Sequence, residues 1–375
     1  MKWSFKLLTV SGIGVYIHVT FLILVAAIFS EYFERGGMSL ALPGTALVIS
    51  VFVCVLLHEF GHALTARRFG VRTRDIVLLP IGGVARLERI PREPIQEFLI
   101  TVAGPSVNLV IAAVLFLTLK ALGLAITLDV DAVTAPPFGT EAFLRQLLGI
   151  NIALVVFNLI PAFPMDGGRI LRSLLAFRLS YARATGIAAR VGQAFAVLLC
   201  FAAISSHQWL IVLVSVFVFL GATGEAASAQ IQRLFQGICA SAGVIADFKT
   251  LGPDDSLRLA VQRLLSGCQV DFPVVDGGKV LGILTRQQLV TALQERGPEA
   301  LVRDIPLSEV SPVEASDPMF HAWEELSRQG VACLPVRDQG QISGWITSDN
   351  LAEVAMVRKA LASNAEAHRN QSETD

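Results

Sequence analysis

Three titratable side chains lie within five residues of one another inside a long apolar run. His58, Glu59 and His62 form H-E-F-G-H in the segment VISVFVCVLLHEFGHAL. On a helix, positions i and i+4 project from one face, so the two imidazoles can bind one metal ion, and the adjacent Glu59 can accept the proton of an attacking water. Because nothing structural offsets the desolvation of three such groups in a membrane helix, we interpret them as a hydrolytic metal site.

A third metal ligand is expected from the segment N-L-I-P-A-F-P-M-D-G-G-R, residues 158–169. Catalytic zinc takes three protein ligands in a tetrahedral site and leaves one position open. Asp166 follows an apolar run that crosses the membrane in the same direction as the run that contains His58, which places both residues at one depth. The alternative is a plain turn residue, since Asp-Gly-Gly after two prolines is also an ordinary chain reversal.

The elements that position these residues are predicted from composition. Of the 375 residues, 53% are AVILMFWYC and only 16% are charged, and the mean hydropathy of +0.61 excludes a uniformly soluble chain. The net charge of −1 conceals +6 over residues 1–240 and −7 over residues 241–375. A membrane module therefore precedes a soluble module. Apolar runs of membrane-spanning length predict six transmembrane helices, near residues 10–30, 41–65, 97–121, 143–163, 185–204 and 208–224.

The distribution of arginine predicts the orientation of these helices. Seven arginines lie from Arg67 to Arg92 and four from Arg169 to Arg183, in the segments after the second and fourth runs. Lys and Arg are retained on the cytoplasmic side, so both segments are expected there. An even number of spans then leaves the N- and C-termini in the cytoplasm. We predict a multi-pass protein of the cell membrane, surrounded by the lipid bilayer.

Three motifs in this order resemble the site-2 protease family of intramembrane zinc metalloproteases. They are HEFGH, the G-P-S-V-N of residues 104–108, and N-L-I-P-A-F-P-M-D-G-G. The resemblance implies a six-span protease domain over residues 1–235, with one zinc ion per chain bound by His58, His62 and Asp166, and Glu59 as general base. It also implies that the substrate is a transmembrane segment of another protein, cut in regulated intramembrane proteolysis.

Other polar residues of the membrane module are secondary candidates. Asn108 and Asn158 are amides in apolar surroundings that can bond Asp166 or stabilise a developing oxyanion, with interhelical hydrogen bonding as the alternative. His18 can orient a ligand or the substrate, or be an interfacial histidine. Glu97 is close enough to a span end to reach the interface. We expect residues 169–180 to form an amphipathic helix lying at the inner interface.

A short hairpin is predicted over residues 75–88. β-prone residues flank a turn whose Pro-Ile-Gly-Gly sequence favours chain reversal. A helical substrate shields its own backbone and must be unwound before it can be cut, and the hairpin edge can pair with the unwound segment. The alternative is a cytoplasmic surface loop. The candidate substrate-binding residues are Leu79, Pro80, Ile81, Gly82 and Gly83.

The soluble module contains a weak internal repeat. Residues 251–286 and 313–348 each predict a helix, a strand, a turn and a strand, followed by a helix. This pattern resembles a pair of cystathionine-β-synthase (CBS) domains, at residues 241–297 and 303–360, giving a polytopic α-helical membrane protein followed by a soluble α+β CBS pair. The resemblance implies clefts for adenosine nucleotides, here ATP or AMP, and association into a homodimer. Residues 363–375 are polar and predict a disordered tail.

The nucleotide prediction departs from the family pattern. A family carboxylate that bonds the ribose is replaced by Gln288 after Thr285 and by Asn350 after Thr347. An amide can still bond a hydroxyl without the charge-assisted interaction. Thr285, Thr347 and Asn350 remain the candidates, and a purely structural or dimerising CBS pair is the alternative.

A second class of function, a membrane transporter gated by the CBS pair, would use the intramembrane histidines as a metal path. It would spread polar residues along several spans, whereas here they cluster at one depth. No nucleic-acid partner is expected.

Overall fold

A computed structural model of the chain describes residues 3–87, 93–124, 139–267, 269–358 and 360. The chain divides into two compact units, Met1–Ala229 and Gln230–Asp375. The predicted tail, 363–375, lies outside the described residues.

The N-terminal unit begins with two strands, not with a transmembrane helix. β1 (Ser4–Val10) and β2 (Ile13–His18) pair antiparallel, and α1 (Val19–Gly36) follows directly. The prediction of a span from residue 10 is therefore wrong up to residue 18. Gly12 allows the turn between the strands, because its φ of +83° suits glycine.

Five helices of this unit are long and apolar enough to cross a membrane. α1 is not among them; its 18 residues include Glu31, Glu34 and Arg35 near the C-terminal end. The predicted count of six spans is thus not confirmed, whereas the other five predicted runs correspond to helices. These are α2 (Met38–Arg68), α3 (Pro94–Ala121), α4 (Gly139–Asn158), α6 (Tyr181–Ser205) and α7 (Trp209–Leu234).

The hairpin predicted after α2 is present as β3 (Thr73–Leu79) and β4 (Gly82–Leu87), joined by the two-residue turn Pro80–Ile81. β3 pairs parallel with β2, so the sheet order is β1-β2-β3-β4 and β4 is an edge strand. The sheet packs against α2 through a core of five buried residues: Ile13, Val15, Phe60, Ala63 and Ile76.

A short helix, α5 (Asp166–Ala176), lies between α4 and α6. It packs against α3 and α6, and its Arg172 is only 2% exposed. The helix expected over residues 169–180 is thus present but ends at Ala176, and Arg172, expected on its polar face, is buried; its place at the inner interface stays a prediction. Gly167 and Gly168 allow this packing, since a Cβ at either would meet the backbone of residues 159–163 at 2.1–2.6 Å.

The C-terminal unit has the predicted two-fold repeat. The first copy contains α8 (Leu257–Leu265), β5 (Phe272–Asp276), β6 (Lys279–Leu284) and α9 (Arg286–Arg296). The second contains β7 (Val313–Glu314), α10 (Met319–Gln329), β8 (Cys333–Asp338) and β9 (Gln341–Thr347), followed by α11 over residues 348–358. Each copy has its own buried apolar core.

Candidate metal centre

The three predicted metal ligands meet at one point of the N-terminal unit. His58 Nε2 and His62 Nε2 are 3.1 Å apart, and Asp166 Oδ2 lies 3.2 Å from the first and 3.1 Å from the second. In a tetrahedral zinc site with bonds of about 2.0–2.1 Å, neighbouring ligand atoms are about 3.3 Å apart. The triangle fits zinc in both donor type and spacing. Burial raises the pKa of Asp166, but the hydrogen bonds and charges of the two imidazoles together lower it by more. The pKa of Asp166 therefore lies below its usual range.

Helix α3 fixes the orientation of both histidines. The Nδ1 of His58 bonds Asn108 Oδ1 at 2.7 Å, and the Nδ1 of His62 bonds the carbonyl of Ile100 at 2.8 Å. An imidazole that donates from Nδ1 presents the lone pair of Nε2 to a metal. Asn108 is thus a partner of His58, and among the described residues it makes no hydrogen bond to Asp166.

Two glycines let α2 and α3 approach closely at this point. A Cβ on Gly104 would lie 2.2 Å from His62 Nε2 and 2.8 Å from His58 Nε2. A Cβ on Gly61, the glycine of HEFGH, would lie 2.8 Å from the carbonyl oxygen of Ala103. The two histidine rings therefore occupy the space that a side chain at position 104 would fill.

The carboxylate of Glu59 is held by the edge strand β4. Its Oε2 accepts a hydrogen bond of 3.1 Å from the backbone N–H of Ala85. Gly83 permits this contact, because a Cβ there would lie 2.7 Å from Glu59 Cγ. The hairpin that the sequence predicts is thus in direct contact with the predicted general base.

Two of the secondary candidates are not brought to this centre. His18 is the N-cap of α1, where its Nδ1 accepts from the N–H of Thr20. Asn158 ends α4 and is half-buried, and its side chain makes no hydrogen bond to another described residue.

Sequence reasoning missed a second layer of buried polar contacts. Asn151 on α4 accepts from Asn108 Nδ2 at 3.1 Å, which extends the chain of hydrogen bonds behind His58. Glu97, which we expected at the interface, is buried and paired with Arg172 at 2.5 Å. The available signal was the occurrence of an amide or a charge in an apolar helix, since such residues require partners.

The C-terminal unit contains a cleft of about 400 Å³ that brings Thr347 and Asn350 together. Thr347 Oγ1 accepts from the N–H of Asn350, and the Asn350 amide donates to the carbonyl of Gly243. The cleft lining also includes the acidic residues Asp271, Asp349 and Glu353, and burial, followed by the charge of Asp271, raises the pKa of the lining Cys333 to about 12. Thr285 is not in this lining; it caps α9 in a capping box with Gln288.

A His–His–Asp group with an adjacent carboxylate base, whose two histidines lie on a helix of membrane-spanning length, is the arrangement of a membrane-embedded metallopeptidase. The family model described as Peptidase family M50 matches residues 46–199, and the CBS domain model matches residues 244–295 and 302–356. A zinc metalloprotease of Methanocaldococcus jannaschii is 34% identical over 284 residues, which cover 76% of this chain and 78% of the relative. The chain belongs to peptidase family M50, the site-2 protease family, and is a zinc metalloendopeptidase with two CBS domains.

Two further relatives are similar over the protease part. The solved site-2 protease from Methanocaldococcus jannaschii is 36% identical, with a TM-score of 0.41 over 60% of this chain and 95% of that one. Stage IV sporulation protein FB of Bacillus subtilis is 29% identical over 153 residues, 40% of this chain and 48% of that protein. The alternative of a CBS-gated transporter finds no support in these comparisons.

Proposed function

We propose that the protein hydrolyses peptide bonds within transmembrane segments of other proteins, in regulated intramembrane proteolysis. The observation that carries this proposal is the triangle of His58, His62 and Asp166, whose first two members lie on α2, a helix of mean hydropathy 2.5 over its most apolar 18 residues. A hydrolytic site on such a helix has access to peptide bonds within the bilayer, which water-soluble peptidases cannot reach.

The chain's own residues supply binding, orientation and proton transfer. His58, His62 and Asp166 would hold zinc, which polarises the scissile carbonyl and the attacking water. Glu59 accepts a proton from that water and delivers it to the nitrogen as the peptide bond breaks. The hydrogen bond from Ala85 holds the Glu59 carboxylate towards β4, which orients it for these two transfers.

The substrate, once unwound, is proposed to pair with the outer edge of β4, beside the turn of residues 79–83. Alternate residues of an antiparallel strand direct their backbone groups to the same side. The N–H of Ala85 points to Glu59, away from β3, and so lies on the outer edge of β4. The backbone groups of Gly83, two residues before, therefore point to this outer edge as well. A substrate strand paired there lies next to the general base.

We propose that α1 is the sixth crossing and that both termini are cytoplasmic. β2, which directly precedes α1, and β3, which follows α2, are neighbours in one sheet, so the start of α1 and the end of α2 both adjoin that sheet. Helix α1 therefore leaves the sheet and α2 returns to it. The arginine-rich ends of α2 and β4 favour the cytoplasm for this side.

The C-terminal unit is proposed to regulate the protease by binding an adenosine nucleotide, with AMP or ATP as first candidates, and to associate into a homodimer. Support comes from the cleft at Thr347 and Asn350, whose hydroxyl and amide can bond a ribose. Its acidic lining disfavours a polyphosphate, which predicts that AMP binds more tightly than ATP. We propose that the protease domain comprises residues 1–235 and the two CBS domains residues 241–297 and 303–360.

The variant Glu59→Gln tests the proposed reaction, because it keeps the size of the side chain and removes the base. In cells that express the full chain, fragments of membrane proteins are compared by mass spectrometry between wild type and Glu59→Gln, with the exposed Glu93→Gln as matched control. We expect zinc content at the wild-type level and cleavage reduced at least about 100-fold by Glu59→Gln. Undiminished proteolysis by the purified variant would overturn the proposal.

A further inference from the structure

A buried cluster of charged and aromatic side chains lies outside the metal centre and has no part in the reaction described above. Arg172 on α5 donates from Nε and Nη2 to Glu97 Oε1 at 2.8 and 2.5 Å, and from Nη1 to Glu225 Oε2 at 3.1 Å. Its guanidinium carbon lies 5.0 Å from the ring centre of Phe163 and 4.9 Å from that of Tyr181. One side chain thus joins α3, α5, α6, α7 and the segment before Asp166.

Glu97 belongs to a stripe of residues on α3 that contacts both histidine ligands. The stripe comprises positions 97, 100, 104 and 108, whose spacing places them on one face of the helix. Ile100 bonds His62, Gly104 makes room for both rings, and Asn108 bonds His58. The remaining member, Glu97, contacts no ligand directly. Its partner Arg172 lies on α5, the helix that begins at Asp166.

The same face of α3 therefore reaches the third ligand through α5. Asp166 and Arg172 are six residues apart on an eleven-residue helix, about 9 Å along its axis. The first turn of α5 is held by the close packing of Gly167 and Gly168 against residues 159–163. The far half of α5 packs against α3 and α6, and the ion pair of Arg172 with Glu97 adds a directional polar contact between α5 and α3.

We propose that Arg172 is a positioning residue for zinc binding, which fixes Asp166 against the two histidines through its pair with Glu97. A buried ion pair is a poor source of stability, because an apolar pair of similar volume is often as stable. A planar guanidinium with two donors on one carboxylate oxygen and two aromatic ring centres within 5.0 Å of its central carbon fixes direction as well as distance. The inference rests on zinc binding by His58, His62 and Asp166.

The test measures zinc affinity of the detergent-purified full chain by competition with a chelator, together with its thermal unfolding midpoint. The variants are Arg172→Lys, Glu97→Gln and the apolar double variant Arg172→Met/Glu97→Leu. Arg178→Lys is the matched control, since Arg178 is exposed and follows the same helix. If wild type binds no zinc, the proposed function fails, and this result is distinct from failure of the positioning role.

We expect Arg172→Lys and Glu97→Gln to weaken zinc binding by about 10- to 100-fold, as for other outer partners of metal ligands. The double variant should unfold within a few degrees of wild type and still bind zinc about 10- to 100-fold more weakly, while Arg178→Lys binds as wild type. If the double variant is as stable as wild type and also binds zinc as tightly, the ion pair has a purely structural role and the proposal is overturned. If the double variant does not fold, unchanged affinity in Arg172→Lys and Glu97→Gln overturns it equally.

Discussion

Replacing Gly104 by alanine should destroy the metal centre although no metal ligand is substituted. The added Cβ would lie 2.2 Å from His62 Nε2, whereas ordinary contact begins at 3.4 Å, so the ring would have to retreat by about 1.2 Å. Zinc sites tolerate changes of only about 0.2 Å in ligand distance. Separating the helices instead would break the close contact between α2 and the backbone of α3 that Gly61 allows. We therefore expect zinc affinity to fall by more than about 100-fold, beyond the effect of losing an outer partner.

The assay is chelator competition on the purified full chain, with the unfolding midpoint measured in parallel. Gly186→Ala is the matched control, because Gly186 lies within α6 and a Cβ there meets nothing within 4 Å. The control should bind zinc normally and be neutral or more stable by up to about 1 kcal/mol. Overpacking at position 104 should cost about 1–3 kcal/mol of folding free energy. A folded Gly104→Ala protein with wild-type zinc affinity would refute the steric reasoning.

Three further predictions follow from contacts around the centre and in the cleft. Gly83→Ala should displace the general base and lower kcat by about 100-fold while zinc affinity stays unchanged; an equal loss of both would contradict the contact. Asn108→Leu should weaken zinc binding about 10- to 100-fold, whereas Asn158→Leu should have no effect. Burial raises the pKa of Cys333 to about 12, so its thiolate is scarce below that pH. At pH 8, maleimide should label the exposed Cys239 and leave Cys333 unmodified, as mass spectrometry of the native protein can establish.

The chemistry of the centre could be predicted because its residue types are constrained by the metal. HExxH on an apolar helix specifies two ligands and a base from local spacing alone. Asp166 required more, namely the direction of two spans, and the structure brings it to 3.1 Å from His62. The hairpin over β3 and β4 was also accessible, because a Pro-Ile-Gly-Gly turn between β-prone segments has a local signature.

The contacts that hold the centre could not be predicted because they depend on long-range packing. Asn108 lies 50 residues from its partner His58, and Arg172 lies 75 residues from Glu97. Nothing local distinguishes an arginine that faces an interface from one that faces a buried carboxylate. The first strands were missed because an apolar run near a membrane helix has the composition of that helix, and the pairing of β2 with β1 and with β3 is what makes this run a sheet.

The order of the ligands along the chain has a consequence for biosynthesis. Asp166 follows His62 by 104 residues, and α3, which aligns the histidines, is made between them. The two histidines therefore enter the membrane well before the third ligand exists, and the centre cannot close around zinc until α5 has been synthesised. Binding of zinc by all three ligands is accordingly a late step in the synthesis of the protease domain.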